Sequence, residues 1–274
     1  LRWKPPPDLL KTMLELTDAG LYCPAGDFHI DPWKPVAEAV ITHAHADHLR
    51  PGHGGYWLAE AGAAIGRRRA GADATLRLLP AGAEQRFGDV RVSLHPAGHV
   101  LGASQVRLER GGEVWVVTGD FKREADPTCT PFEPLRCTTL VTEATFALPV
   151  YHWPDPDTVI ADIHAWWQHN AGRCRPSVLL CYALGKAQRV LAGLRRHTAA
   201  TVYTHGAVEA LVACYREAGV EMLPTEPVAE QPAAAFREAL VLAPPAARGT
   251  AWMRRFARAE TAFCSGWMQV RGNR

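Results

Sequence analysis

The sequence contains no long apolar run: its hydrophobic residues nowhere approach the roughly 18 consecutive positions that a membrane-spanning helix needs. The amino terminus carries three consecutive prolines in place of the apolar stretch of a secretory signal. These absences argue against secretion and against any membrane partner. We therefore expect a cytoplasmic protein.

Paired cysteines and a serine-hydrolase motif are also missing. The seven cysteines are an odd, scattered set without a C-x-x-C pair, which argues against a disulfide framework and favours a reducing compartment. No G-x-S-x-G elbow is present to indicate a nucleophilic serine. Hydrolytic chemistry in this chain would need another source of its nucleophile.

The chain has little excess charge of either sign, with a formal net charge of only +2. A nucleic-acid partner would therefore have to be held by a local basic patch and not by a basic field over the whole protein. The 274 residues, 47% hydrophobic and 21% charged, are typical of an ordinary globular protein with one large domain or two closely associated ones.

The pattern of the chain changes near Pro149. Before that residue, short β-rich segments bounded by Gly, Pro and Asp predict stacked sheets; the predicted strands are 28–30, 37–42, 90–95, 104–109, 114–118 and 139–142. After it, helical patterns alternate with strands, which predicts a parallel α/β unit. The predicted helices are 158–170, 186–197, 207–217 and 232–238, and the predicted strands are 178–181 and 201–203. Residues 151–157 are the predicted linker.

One dense group of ligand-type residues directly follows an apolar strand. It reads H-x-H-x-D-H and consists of His43, His45, Asp47 and His48. On a loop at a strand end, His43 and His45 can point to one metal while Asp47 and His48 turn towards a second. Imidazole and carboxylate ligands suit zinc, manganese or iron, and no thiolate narrows the choice.

Further ligands are expected from other strand ends. His99 lies in a Gly-His-Val-Leu-Gly segment, where glycines permit close backbone approach. Asp120 follows a strand in Thr-Gly-Asp, from which its carboxylate could bridge two cations. Asp31, at the end of another strand, is a candidate for orienting a histidine ligand. Two metals roughly 3.5–4 Å apart activate water at neutral pH, so hydrolysis is the expected reaction.

The segments 43–48, 98–102 and 118–120 together resemble those of the metallo-β-lactamase superfamily, in particular of its nucleic-acid-processing β-CASP branch. Glu143, in Thr-Glu-Ala-Thr-Phe, resembles that branch's acidic motif, and residues 183–188 resemble the Leu-Gly-Arg-Ala-Gln run that opens a helix of its inserted domain. The resemblance implies an α/β fold: a metallo-β-lactamase αββα sandwich with an inserted β-CASP-like α/β domain. It implies a first part of the sandwich domain over 1–150, the inserted domain over 151–260, and the start of the return over 261–274.

Over nearly its full length the chain is most similar to the bacterial ligase-associated DNA exonuclease family, encoded with a DNA ligase and a helicase. The segments that carry this resemblance are 20–28, 182–188, 203–207 and 265–268. The family supplies a final ligand histidine near the carboxyl terminus, yet no histidine follows His205. We expect that ligand to lie beyond residue 274; the alternative is an incomplete second metal site. The branch's proton-donating histidine also has no counterpart in 271–274.

The sequence also contains candidate contacts for a nucleic-acid substrate. A helix that opens at Gly185 and Lys186 would present free N–H groups and a cation to phosphate, and Glu143 would help to place substrate. Arginines concentrate towards the carboxyl terminus, which predicts a patch that neutralises a nucleic-acid backbone; they are Arg248, Arg254, Arg255, Arg258, Arg271 and Arg274. The run at 67–69 is interpreted as a solvated helix face.

The sequence thus predicts a metal-dependent DNA exonuclease, acting on single strands or free ends in DNA repair with two zinc or manganese ions. His43, His45 and His99 would hold one ion, Asp47 and His48 the other, and Asp120 would bridge, with Asp47 and Asp120 as catalytic carboxylates. Three alternatives stay open: an RNA-processing nuclease with the same site, a small-molecule metallo-hydrolase of thioesters or lactams, and a catalytically inactive binding module.

Overall fold

The computed structural model describes residues 13–266, which form a mixed α/β fold, as the sequence predicts. Within that range the strands are β1 (Glu15–Leu16), β2 (Leu21–Cys23), β3 (Phe28–Ile30), β4 (Glu38–Val40), β5 (Gly55–Ala59), β6 (Leu76–Leu79), β7 (Glu84–Phe87), β8 (Val90–Pro96), β9 (Ser104–Arg110), β10 (Glu113–Val117), β11 (Thr139–Val141), β12 (Ser177–Cys181), β13 (Val202–Thr204), β14 (Thr225–Pro227), β15 (Leu240–Ala243) and β16 (Glu260–Cys264). The α-helices are α1 (Ala63–Ala70), α2 (Pro156–Ala171), α3 (Lys186–Leu194) and α4 (Gly206–Glu217). Short 3₁₀ helices cover Glu60–Gly62, Val228–Glu230, Ala233–Phe236, Pro245–Ala247 and Ala251–Arg255.

The chain divides into two compact units after Ala144. The division lies a few residues before the predicted boundary at residue 150, and the assignment of the units to named domains stays a prediction. The predicted linker is too long, because α2 begins at Pro156 with Asp155 as its cap: the Asp155 carboxylate accepts the Thr158 N–H at 2.9 Å. No described helix is both long and apolar enough to cross a membrane.

The first sheet of the first unit has the strand order β1-β2-β3-β4-β5-β6, antiparallel from β1 to β3 and parallel from β3 to β6. Parallel strands are covered on both faces and are therefore continuously apolar; Ala39, Val40 and Ile41 are at most 1% exposed. Because β3 and β4 run in the same direction, their carboxyl ends share one edge of the sheet. Asp31 follows β3 there, and Thr42 follows β4.

The second sheet has the order β11-β10-β9-β8-β7, with only the β10–β11 pair parallel. Residues 97–103 connect β8 to β9 and carry His99. The start of β9 pairs alongside the end of β10, so this loop shares an edge with Asp120, which follows β10. Glu143 follows β11 at the same edge.

A single hydrophobic cluster joins these two sheets. Phe28 and Val40 of the first sheet belong to the same buried cluster as Val92, Leu108 and Trp115 of the second. Burial of this apolar surface is the main stabilising contribution to the unit. At the edge of the cluster the backbone N–H of Ser104 donates to the carbonyl of Thr42 at 2.8 Å. The two sheets are thus tied together where their functional loops emerge.

The second unit contains a fully parallel sheet with the order β14-β13-β15-β12-β16. Helical residues such as Trp167 and Leu191 pack with Leu179 and Leu242 in one cluster, while Phe236 belongs to a second cluster with other sheet residues. The predicted α-helix over 232–238 is wrong: only the 3₁₀ helix Ala233–Phe236 forms. Its hydrogen bonds join residues three apart, from the Ala235 N–H to the Pro232 carbonyl at 3.0 Å and from the Ala239 N–H to the Phe236 carbonyl at 3.1 Å, which is the 3₁₀ pattern.

Candidate metal centre

The loop that follows β4 places its side chains through a tight turn. His43 is 3% exposed and Ala44 5%, so the first part of the loop is packed into the unit. The backbone N–H groups of His48 and Leu49 both donate to the carbonyl of His45, at 3.1 and 2.8 Å. This turn brings His48 back towards the strand end that His43 leaves.

Four of the predicted ligands converge on one point. The ligand atoms of His43, His45, His99 and Asp120 all lie within 4.8 Å of one another. His43 Nε2 is 2.9 Å from His45 Nδ1, and His99 Nε2 is 3.3 Å from the same nitrogen. An Asp120 carboxylate oxygen lies 3.7 Å from His43 Nε2 and 3.6 Å from His99 Nε2. Three imidazoles and a carboxylate that face one another are a donor set for a divalent transition metal.

The two oxygens of Asp120 face different partners. Oδ2 points to the nitrogens of His43 and His99, whereas Oδ1 lies 3.4 Å from His48 Nε2. Asp47 is the outermost member, since its side chain is 77% exposed and its Oδ2 lies 3.8 Å from His48 Nε2. Asp120 therefore lies between the histidines of the cluster and a second pair formed by His48 and the exposed Asp47.

Asp31 and Thr42 orient two of the histidines. Asp31 Oδ1 accepts the backbone N–H of Thr42 at 2.7 Å, and Oδ2 accepts the Thr42 hydroxyl at 2.5 Å and His48 Nδ1–H at 2.7 Å. Because the hydroxyl proton goes to Asp31, the Thr42 oxygen is free to accept from His43 Nδ1–H at 3.1 Å. Both histidines therefore hold a proton on Nδ1 and turn Nε2 towards Asp120, which is the tautomer that a metal ligand needs.

The pKa shifts of His43 and His48 have opposite directions. Burial, with the neighbouring imidazoles His48, His45 and His99, holds the pKa of His43 well below its usual value, so this ring is neutral and able to ligate. Burial also acts to lower the pKa of His48, but hydrogen bonds with Asp120 and Asp31 outweigh it and raise the pKa to about 10. Burial acts to raise the pKa of Asp120, yet the hydrogen bond with His48 lowers it overall. A metal that binds His48 must displace this proton.

Gly119 permits the approach of Thr42 to the cluster. Its φ is +55°, and a Cβ at this position would lie 2.6 Å from both Cβ and Oγ1 of Thr42. A side chain at residue 119 would therefore displace the hydroxyl that connects Asp31 to His43. The glycine of the Thr-Gly-Asp segment is explained by this contact.

We expect Gly119→Ala to destabilise the protein more than Gly111→Ala. Both glycines have φ near +55° to +60°, but nothing lies within 4 Å of a Cβ at Gly111. The left-handed conformation costs either alanine about 1–2 kcal/mol, and the clash with Thr42 should add roughly 1–3 kcal/mol at Gly119. Urea unfolding of the two metal-free variants measures the difference. Equal losses would show that Thr42 yields without cost.

The remaining predicted residues follow or begin other elements of the fold. Glu143 is half-buried in the first unit, while Gly185 and Lys186 begin α3 in the second unit. The Gly185 N–H donates to Gln188 Oε1 at 2.7 Å, and Gln188 Nε2 donates to the Ala183 carbonyl at 2.9 Å. The glutamine of the family-like motif is thus used to close the helix start. Roles of these residues in substrate placement stay predictions.

Arg271 lies outside the described residues, as do most of the predicted return segment 261–274 and Arg274. Two described residues that hydrogen-bond to the histidine-bearing loop, Thr42 and Arg69, were not predicted. Thr42 could have been recognised because it directly precedes His43, whereas Arg69 was interpreted as part of a solvated face. Its Nε donates to the carbonyl of Ala44 at 3.1 Å.

Known proteins resemble this chain over much of its length. It is 33% identical over 254 residues to a "Probable DNA ligase" of Opitutus terrae, which covers 90% of this chain and 24% of that protein. It is 28% identical over 213 residues to "Endoribonuclease YSH1" of Mycosarcoma maydis, which covers 63% of this chain and 24% of that protein. The chain belongs to the β-CASP branch of the metallo-β-lactamase superfamily.

This β-CASP chain spans about a quarter of the length of those two relatives. No protein-family model matches it. Among solved structures, a protein of unknown function from Enterococcus faecalis V583 superposes with a TM-score of 0.50 at 13% identity, over 75% of this chain and 58% of that one. That likeness concerns the fold alone.

Proposed function

We propose that this β-CASP chain is part of a metal-dependent DNA exonuclease that degrades single strands from an end during DNA repair. The observation that carries the proposal is the position of Asp120. One of its oxygens faces His43 and His99 and the other faces His48. A carboxylate between two groups of nitrogen ligands could serve two ions held close together, as two-metal hydrolysis needs.

In this proposal His43, His45 and His99 would hold one divalent ion, Asp47 and His48 would hold the other, and Asp120 would serve as a ligand for both. Bound ions would supply Lewis acidity, lowering the pKa of water and neutralising charge that develops on a phosphoryl oxygen. Asp31 and Thr42 keep the Nδ1 protons in place, so that the ligating nitrogens stay directed inwards. Zinc or manganese fits a donor set of imidazoles and carboxylates without a thiolate.

The fold part of the proposal is that residues 1–150 form the first part of an αββα metallo-β-lactamase sandwich and residues 151–260 an inserted β-CASP-like domain. The shared core of the two sheets in the first unit supports the former. The parallel sheet with helical residues packed on it supports the latter.

DNA as the substrate is supported by the similarity to the Opitutus terrae protein, whose name is that of a DNA ligase. A nuclease acting beside a DNA ligase and a helicase would prepare strand ends for joining. Cations that suit a phosphate backbone are available on the second unit: Lys186 begins α3, and Arg248, Arg254 and Arg255 are exposed. Glu143, Gly185, Lys186 and Arg271 are the proposed substrate-placing residues.

A second candidate function is RNA processing with the same metal centre. The observation that favours it is the similarity to a protein named as an endoribonuclease. The two functions share a mechanism and differ in their recognition of the 2′-hydroxyl group. Only a direct comparison of substrates separates them.

The test uses the protein loaded with Zn²⁺ or Mn²⁺ and labelled 30-nucleotide substrates of one sequence. We expect linear single-stranded DNA to be shortened progressively, covalently closed circular single-stranded DNA to stay intact, and EDTA to stop the reaction. His45→Ala serves as the inactive control. Anomalous scattering at the cluster counts and identifies the ions.

Three results would overturn parts of the proposal. Faster turnover of RNA than of matched DNA would favour the second candidate. Cleavage of the circular substrate would make the enzyme an endonuclease. Metal-loaded protein that binds but leaves every nucleic acid intact would identify a catalytically inactive binding module.

A further inference from the structure

The 3₁₀ helix Glu60–Gly62 and α1 form one continuous helical segment, residues 60–70. This segment contacts the loop that carries His43 and His45. Arg69, in the last turn of α1, donates from Nε to the backbone carbonyl of Ala44 at 3.1 Å. Ala44 stands between the two histidines and is 5% exposed. Among residues 13–266, Arg69 is the only hydrogen-bond donor found for this carbonyl.

The same segment also contacts the loop that carries His99. A Cβ on Gly102 would lie 2.3 Å from the Cα of Gly62, so the two backbones are in direct contact. Gly102 closes the His99 loop, in which the Ala103 N–H donates to the Val100 carbonyl at 2.9 Å. Residues 60–70 therefore touch both loops from which the cluster draws its histidines.

The segment is itself fixed to the sheet. Ile65 is fully buried, and a Cβ on Gly66 would lie 2.4 Å from Leu58 Cδ1 of β5, so α1 packs closely on that strand. Arg67 closes the end of the helix by donating to the carbonyls of Ala72 and Ala74. A guanidinium on this helix consequently has a fixed base from which to hold Ala44.

We propose that Arg69 is a positioning residue for the metal centre, an inference that rests on the proposed metal-dependent function. The Ala44 carbonyl belongs to the planar peptide that joins Ala44 to His45. Holding this plane fixes the Cα of His45, which is one of its atoms, relative to Ala44, which directly follows His43. Without that hydrogen bond the two imidazoles lose their common alignment on Asp120 and His99, and metal affinity falls.

Arg69→Met and Arg69→Gln form a matched pair for the test. Both side chains have the length of the arginine up to Nε: methionine places a methyl group at that point, and glutamine places its amide Nε2–H₂ there. Arg69→Gln removes the charge and keeps the donor, whereas Arg69→Met removes both. Arg68→Met is the control, since Arg68 is exposed on the same helix and its side chain shows no hydrogen bond within residues 13–266.

The readout is Zn²⁺ affinity, measured by competition with a chromophoric chelator. Partners that orient metal ligands typically contribute 10- to 100-fold, so we expect Arg69→Met to weaken binding by about 10-fold, with Arg69→Gln and Arg68→Met within about 2-fold of wild type. Equal losses in the methionine and glutamine variants would contradict the proposal and indicate an effect of charge. Unchanged affinity in Arg69→Met would also overturn it.

Thermal unfolding with and without Zn²⁺ distinguishes positioning from general support of the fold. A positioning residue should reduce the increase in Tm on metal loading, while a purely structural contact should lower both Tm values equally. Because these measurements need no substrate, they remain decisive if the wild-type protein binds Zn²⁺ but cleaves no nucleic acid. That outcome would reject the proposed function and leave the role of Arg69 intact.

Discussion

Asp120→Asn is expected to reduce hydrolysis of single-stranded DNA by about 10³-fold, because a metal centre contributes several kcal/mol and about 1.4 kcal/mol is a factor of ten. The substitution keeps the shape of the side chain but makes one terminal atom an N–H₂ donor. That atom would point at His48 Nε2 or at the nitrogens of His43 and His99, which lie 3.4 to 3.7 Å from the carboxylate. Either orientation would remove a proposed metal ligand.

Two quantities are measured for the wild type and the variants: kcat/KM for a labelled single strand of DNA, and the number of metal ions bound per chain. Asp73→Asn is the matched control, because Asp73 is exposed in the same unit and the substitution removes the same charge. We expect the control to retain full activity and the Asp120 variant to bind fewer ions. An Asp120→Asn protein with more than a tenth of wild-type activity would remove Asp120 from the proposed mechanism.

The convergence of these side chains could be predicted from sequence because the ligand-type residues are concentrated in a few segments. Four ligand-type residues fall within residues 43–48, and His99 and Asp120 follow predicted strands. The structure brings His43, His45, His99 and Asp120 within ligand distance of one another. Arg69 could not be found in this way, because an arginine that donates to a backbone carbonyl across 25 residues leaves no local pattern.

The elements of the fold were harder to predict from sequence where their apolar periodicity is weak. Strand β7 has the sequence Glu-Gln-Arg-Phe, is only partly buried and pairs on one side only, so apolar alternation is slight. Helix α1 buries only Ile65 and Gly66 and has no side-chain cap, which leaves little helical periodicity to detect. Strands with buried apolar sequence, such as β8 and β12, were predicted to within one residue at each end. Tertiary pairing, and not local preference, determines the weak elements.

Asp31→Asn is expected to weaken Zn²⁺ binding by about 10- to 100-fold, the usual effect of removing a group that orients metal ligands. Asp31 accepts from His48 Nδ1 at 2.7 Å and from the Thr42 hydroxyl at 2.5 Å, and Thr42 in turn accepts from His43. One carboxylate therefore sets the tautomers of two proposed ligands, His43 and His48. Both bonds end on Oδ2, while Oδ1 accepts the backbone N–H of Thr42 at 2.7 Å. In either orientation an asparagine therefore places an N–H₂ donor against a donor at one of these two positions.

The same substitution should change the pH dependence of the metal-free protein. The folded pKa of His48, about 10, exceeds the ordinary histidine value of 6.5, so its protonation stabilises the fold fully below pH 6.5, and this stabilisation is lost as the pH rises towards 10. Loss of the Asp31 charge should lower that pKa and flatten the stability profile between these limits. Urea unfolding across this range, with NMR titration of His48, measures both effects.

The control is Asp27→Asn. Asp27 is an exposed carboxylate on the neighbouring turn that accepts a hydrogen bond from the Tyr22 hydroxyl, and its substitution should leave the profile unchanged. If Asp31→Asn gave the wild-type pH profile and the wild-type Zn²⁺ affinity, orientation of His43 and His48 would have to come from the metal and not from the Asp31–Thr42 network.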